Sequence, residues 1–469
     1  MIFDKPHEEC GVFAVFGKSR INVSALAYYG LFALQHRGQE SCGIALCDGG
    51  SFRSHKNIGT VNDVFTKREL SALGSGNIAV AHVRYATTGV PDRSNAQPIE
   101  VNHINGKLAV VHNGNLVNSA LLRRRLEMEG SIFHTTSDTE IIAYLITKEK
   151  IRLGDDLAAV KSTMNIIEGA FSLAVMLKDK LIAVRDKNGL RPLCYGVLPG
   201  GAYVVASESC ALDAVGAQFI RDIKPGEIIV FDENSLRCDT SFCNAAPKST
   251  CVFEYIYFAR PDSVIDGVAV HSARLRAGEF LAKEYPVQAD IVIGVPDSGI
   301  DAAIGYSQQS GIPYGIGFIK NKYIGRTFIA PGQSSREDKV KIKLNPLAHA
   351  VRGKRVVIID DSIVRGTTSA RIVGLLREAG ATEIHMRVTA PPFVNPCFYG
   401  TDIDSRENLL ACNYTLEEIT KMIGADSLGY LSIESARRIA GEGGGYCCAC
   451  FDGEYPTPVP GEQSKNKFE

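Results

Sequence analysis

The hydrophobic pattern of this chain changes character near Cys251, and that change limits the folds open to it. From Cys10 to about Val230 the apolar runs are short and flank turn residues: GVFAVFG, CGIALCDGG, NIAVAHVRYAT, KLAVVHNGN, FSLAVMLKDKLIAVRD and AYVVASES. Strand follows strand, the lysine pair of MLKDKLIAV reads as a hairpin tip, and helical patterns interrupt at 24–35, 116–129 and 138–148. Such a run predicts an α+β layered unit with largely antiparallel sheets. After Cys251 the order becomes strand, loop, helix, strand. DIVIGV at 290–295 precedes a helix over about 299–309, and RVVII at 355–359 precedes a helix with Ile372, Val373, Leu375, Leu376 and Ala379 at three- and four-residue spacing, closed by Gly380. Units of that kind imply a parallel sheet, whose ligands bind at the carboxyl ends of the strands.

With 469 residues the chain exceeds one core. The pattern divides it into a short lead at 1–9, an α+β unit at 10–235, an α/β unit at 236–452 and a tail at 453–469 that is expected to fray. Residues 232–250 are polar and irregular and read as a linker. Fifty-one basic against 52 acidic residues leave a net charge of −1, which supplies no general field for nucleic acid or an anionic bilayer. No apolar stretch approaches the roughly 18 to 20 residues that span a membrane, and no leader pattern opens the chain, so a cytoplasmic location is expected. Thirteen cysteines, an odd number, then read as core filler, nucleophile or metal ligand rather than as a disulfide framework.

Two familiar phosphate motifs are absent. GKS at 17–19 has its glycine one residue too far upstream for a P-loop, and no G-x-G-x-x-G follows a strand. The segment 356–369, VVIIDDSIVRGTTS, offers a different arrangement. A β-branched strand ends in Asp360 and Asp361, and a loop of Ser362, Arg365, Gly366, Thr367 and Thr368 opens a helix. Backbone N–H groups and hydroxyls there suit a phosphate, and the carboxylates suit ribose hydroxyls or Mg2+. The bland alternative is an acidic strand end with a capping threonine. VPDSG sets Asp297 and Ser298 at a second helix start, and two phosphate-sized sites on one sheet edge suggest a diphosphorylated sugar. Between them KNKYIGR, at 320–326, followed by 327–331, is a solvated run or a cationic lid.

In the first unit Cys10 directly precedes an apolar strand. It is either a buried strand-start cysteine or a nucleophile; with residues 1–9 removed, its own α-amine, of pKa about 7.7 to 8, would serve as the base. His112, Asn113, Gly114 and Asn115 follow KLAVV in what reads as a tight turn, either a plain Asn-Gly turn or an oxyanion hole built on the Asn113 amide. Arg84 and Asp138 carry the opposite charges needed to grip the two ends of an α-amino acid, and Asp138 alternatively caps a helix.

CGVFAVFG, LQHRGQES, AHVRYATTG, HNGNL and SDTE resemble the class II glutamine amidotransferases, whose fold is an N-terminal-nucleophile αββα sandwich, and VIIDDSIVRGTTS resembles the phosphoribosyltransferases. Together, in this order and over about residues 10–455, they resemble the glutamine phosphoribosylpyrophosphate amidotransferases of purine biosynthesis. The resemblance implies a propeptide at 1–9, Cys10 attacking glutamine, and Asn113 with Gly114 serving the oxyanion. It puts Arg37, Gly38, Arg84 and Asp138 in the glutamine pocket. Phosphoribosylpyrophosphate would lie on Asp297, Ser298 and residues 360–362 and 365–368, with Mg2+ near Ser298, Asp360 and Asp361. It implies feedback by purine nucleotides and a homotetramer. Some members carry a [4Fe-4S] cluster; Cys251, Cys397, Cys447 and Cys450 match its ligand positions, while Cys448 stands between two of them as a competing sulfur. Amidotransferases making glucosamine phosphate or asparagine would need a different second half, and a regulatory phosphoribosyltransferase-like protein would have no use for Cys10 and HNGN.

Overall fold

The computed structural model describes residues 10–85, 92–104, 106–321, 344–403 and 405–460. Strand Gly11–Ile21 is the centre of the first unit. It pairs antiparallel with Gly76–Arg84 on one side and Tyr203–Ala206 on the other, inside a seven-stranded sheet. A six-stranded sheet faces it, and every pairing within the two sheets is antiparallel.

The pleat explains the layering. Alternate residues Val12, Ala14 and Phe16 meet Ala109, Val111, Ala174 and Met176 from the other sheet in a core between the sheets. Their neighbours Phe13 and Val15 turn the other way, into a second core under helix Val23–Ala33. On the opposite outer face, helices Asp138–Leu153 and Asp156–Ile166 cover Leu108, Val110, Leu173 and Val175. Strands apolar on both faces leave no polar alternation to read, which is why this region reads as continuous apolar runs. The result is the αββα sandwich expected of the first unit.

Strands Ile291–Gly294, Arg355–Asp360, Glu383–Val388 and Ser427–Tyr430 form the parallel sheet of the second unit, in that order. Helices Val270–Glu284, Gly299–Ser310 and Thr367–Glu378 contribute to its core.

Four expectations need correction. The stretch read as a linker contains strand Leu236–Asp239, which extends the first unit's sheet past residue 235; it is a mostly exposed edge strand and so carries no apolar run. The helix expected over 116–129 begins only at Ser119, because Leu116 is still in a strand. Helix Asp138–Leu153 runs five residues beyond 148 to a left-handed Gly154. The tail does not fray over 453–460: Tyr455 donates to Pro396 O at 2.6 Å and Thr457 bonds the Tyr399 hydroxyl. The lead at 1–9, the lid beyond Asn321 and the tail past 460 lie outside the described residues.

Candidate active site

Cys10 stands at the head of strand Gly11–Ile21, and the register of Gly11 with Val83 sets it beside Arg84. Its Sγ lies 3.7 Å from Tyr85 O, and its carbonyl accepts from Arg37 Nε at 3.0 Å. Arg37 is therefore buried behind the cysteine backbone. Gly38 must lack a side chain, since a Cβ there would fall 2.7 Å from the Arg84 backbone. Arg84 reaches Glu40 at 2.8 Å, a residue of the LQHRGQES motif that sequence reading passed over.

HNGN approaches this edge from the other sheet. It is not a turn: strand Gly106–Leu116 continues through it, with Asn113 opposite Ser172 and Gly114 opposite Phe171. The strand kinks at Gly114, where φ is +139° and a Cβ would lie 2.1 Å from Ala170 O. Gly114→Ala is accordingly expected to cost about 3 kcal/mol in denaturant unfolding, from steric overlap and backbone strain together. Asn113 is 1% exposed, and its Nδ2 has no hydrogen-bond partner among the described residues. A buried amide donor left unsatisfied carries a penalty unless something accepts from it, which suits a developing oxyanion.

His112 ties the two sheets together. Its carbonyl accepts from His82 Nε2 at 3.0 Å and from Gln97 Nε2 at 3.2 Å, and its Nδ1 lies 3.4 Å from Asp138 Oδ1. Burial pushes His82 down to about 3, so it stays neutral and donates. Ser137, not Asp138, caps the helix; Asp138 is its first residue and accepts from Leu116 N–H at 3.0 Å. Burial alone would raise the Asp138 carboxyl, but His112, that N–H group and the Arg84 charge outweigh it and hold it below the usual range. An ionised Asp138 and a cationic Arg84 thus bracket an edge that also presents Cys10 and Asn113.

The second constellation lies where the sheet rule put it. Val295 N–H bonds Ile359 O at 2.9 Å, so VPDSG and DDS emerge from the carboxyl ends of adjacent parallel strands. Asp360, Asp361 and Ser362 are buried. Asp361 accepts from Ser362 through one oxygen and from Ser298 through the other, which joins the two loops. Arg365 and Thr367 are exposed around Gly366, the N-cap of helix Thr367–Glu378. Asp297 pairs with Lys320, the first residue of the basic run.

Cys251, Cys397, Cys447 and Cys450 line one cavity, with Leu190, Arg191, Tyr399 and Tyr455 among its other walls. A parallel pairing sets Cys251 directly against Cys447. Cys448 is absent from that lining; it is buried in the second unit's core. Among the described residues no three His, Cys, Asp or Glu side chains converge on the position of a single ion. A polynuclear cluster differs in that each thiolate binds its own iron.

The segment after Cys397 also touches the first unit. Asn115 Nδ2 donates to Phe398 O at 2.9 Å, Arg191 Nη2 donates to Tyr399 O at 2.6 Å, and a Cβ on Gly400 would lie 3.2 Å from the Gly114 carbonyl carbon.

Two family models match this chain: a glutamine amidotransferase domain over residues 82–214 and a phosphoribosyl transferase domain over 268–420. An amidophosphoribosyltransferase of Methanocaldococcus jannaschii is 49% identical, covering 96% of this chain and 98% of its own length. One of Bacillus subtilis is 48% identical over 97% and 95%. Among solved structures, the allosteric regulatory enzyme of purine biosynthesis superimposes with a TM-score of 0.91 at 47% identity over 97% of this chain and 98% of that one. The B. subtilis glutamine phosphoribosylpyrophosphate amidotransferase complexed with ADP and GMP does so with 0.89, at the same identity and coverage.

Proposed function

This chain belongs to the amidophosphoribosyltransferases, and from that premise we propose how its own residues divide the reaction. The enzyme takes the amide nitrogen of glutamine and places it on phosphoribosylpyrophosphate, giving 5-phosphoribosylamine, pyrophosphate and glutamate, the first step of purine synthesis. Cys10 attacks the glutamine amide, with its free α-amine as base once 1–9 are removed. The Asn113 amide and the backbone at Gly114 receive the oxyanion; Arg84 and Asp138 hold the carboxylate and amine of the substrate; Gly38 serves the glutamine pocket by letting the Arg84 backbone pass close against it, and Arg37 holds Cys10 from behind. The observation carrying this reading is the buried, unpartnered Asn113 Nδ2. Release of glutamate and pyrophosphate in equal amounts, dependent on phosphoribosylpyrophosphate, tests it; glutamate alone, with no pyrophosphate, would reject it.

Phosphoribosylpyrophosphate sits across the joined loops, with Asp360 and Asp361 toward the ribose and residues 362 and 365–368 around the 5-phosphate. Asp297 and Ser298 head the pyrophosphate side, and Lys320 stands at the base of the lid. Ser298, Asp360 and Asp361 fit Mg2+, which binds through one or two carboxylates and takes the rest of its shell from substrate phosphate and water. The ion would supply positive charge to the leaving pyrophosphate. The first unit extends from Cys10 through strand Leu236–Asp239, and the second from strand Thr250–Cys251 to Asp452.

Cys251, Cys397, Cys447 and Cys450 fit a [4Fe-4S] cluster, because four thiols from three distant segments meet on one largely apolar cavity. It would serve as a cross-link between them. Anaerobically purified protein is expected to be brown, with about four irons per chain. Cys397→Ser should lose iron and folded yield while Cys448→Ser keeps both; iron-free, fully active protein rejects the cluster. Purine nucleotides acting as inhibitors and a homotetramer complete the reading, as does a cytoplasmic location. The last agrees with the finding that no described helix is long and apolar enough to cross a membrane.

A further inference from the structure

The second unit reaches into the first behind the nucleophile. Glu254 opens a wide helical turn, Glu254–Phe258, just after Cys251, and its carboxylate clasps Arg37 at 2.7 and 2.9 Å. Neither side chain is exposed to any degree. Arg37 in turn donates its Nε to the Cys10 carbonyl at 3.0 Å. Two hydrogen-bonded steps therefore join a carboxylate of the second unit to the backbone of the residue carrying the thiol.

Glu208 also binds Arg37, at 2.6 Å, but its oxygens are shared with His36, with Arg260 N–H and with the Ser263 hydroxyl. Glu254, whose Oε1 also lies 3.5 Å from Arg191 Nη1, makes the two-pronged contact that fixes the plane of the Arg37 guanidinium, and hence the direction of Nε. The turn bearing Glu254 is itself held: Arg274, on helix Val270–Glu284, donates to the carbonyls of Tyr255, Tyr257 and Ala259 at 2.9, 3.0 and 2.7 Å. Helix Val270–Glu284 packs against helix Gly299–Ser310, which starts at VPDSG.

We infer that Glu254 is a positioning residue of glutamine hydrolysis, supplied by the phosphoribosyl-transferring unit and acting on Cys10 through Arg37. A buried guanidinium that loses its bidentate partner reorients, and the carbonyl it holds moves with it. Displacement of a nucleophile by a fraction of an ångström costs rate while leaving substrate binding nearly intact. The inference rests on Cys10 as the nucleophile, which Cys10→Ala tests on its own.

Glu254→Gln, which preserves volume, and Glu254→Ala are compared with the wild-type full-length enzyme. In both, kcat for glutamine hydrolysis is expected to fall about 10- to 100-fold with a glutamine KM changed less than about threefold. Alkylation of Cys10 by iodoacetamide, read by mass spectrometry of its peptide, should slow in step. Synthesis from ammonium salt should persist, since those residues lie in other loops. Unchanged kcat and alkylation in the Gln variant would overturn the inference. So would parallel loss of ammonium-driven synthesis, which signals general unfolding, or a rise in KM alone, which signals a binding role. Full glutaminase activity in Cys10→Ala would instead overturn the assignment beneath it.

Discussion

Cys10→Ala is expected to lower glutamine-dependent synthesis about 10⁴-fold or more while synthesis from added ammonium salt continues near the wild-type rate. In the proposed division the two chemistries use side chains from different units. Cys10, Arg84 and Asn113 belong to the sandwich, whereas Asp360, Asp361 and Ser298 belong to the parallel sheet. Cys10 is only half-buried, and replacing its thiol by a hydrogen removes a single heavy atom, so truncation to alanine costs little packing. Loss of both activities in a folded variant would contradict the division into two sites. Intact-mass measurement completes the test: active protein should begin at Cys10, and full activity with Met1 retained would dismiss the α-amine as base.

Asp361→Asn should do the reverse, cutting transfer from glutamine and from ammonium alike by about 100-fold or more. Even outer partners of a metal are worth about 10- to 100-fold, and the proposed reading puts this carboxylate nearer than that. Asp361 accepts from Ser298 and Ser362 at once, so the amide would also set a donor against one hydroxyl and loosen the junction of the two loops. Glutamine hydrolysis without phosphoribosylpyrophosphate should be spared. Ammonium-driven kinetics unchanged from wild type would remove Asp361 from the substrate site.

Much of the site was legible because its chemistry is local. A strand ending in two aspartates before a hydroxyl-rich helix start, or an Asn-Gly pair after an apolar strand, declares what it can bind from a dozen neighbouring residues. The residues that were missed act across the fold. Glu40, Glu208 and Glu254 are ordinary acids in sequence, and only their arginine partners show their importance. Glu254 did carry one signal: in CVFEYIYFARPDS an acid is enclosed by aromatics that cannot all face water, so it must be buried and paired. HNGN was misread as a turn because Asn-Gly is a strong local turn pair; pairing with strand Gly169–Met176 overrode that preference.

What the sequence by itself determined were the two units, their layer types, the strand-end loops and the side chains able to do the chemistry, since these follow from short-range periodicity and residue type. Tertiary structure alone decided which thiols meet. It set Cys251 against Cys447, brought Cys397 and Cys450 to the same cavity and turned Cys448 away into the second unit's core. The contact of Gly400 with Gly114 and the clasp of Glu254 on Arg37, 217 residues away, were likewise decided there. No local propensity encodes such pairs. They exist because burying two apolar units against each other forces the charges caught between them to find partners or pay the cost of desolvation.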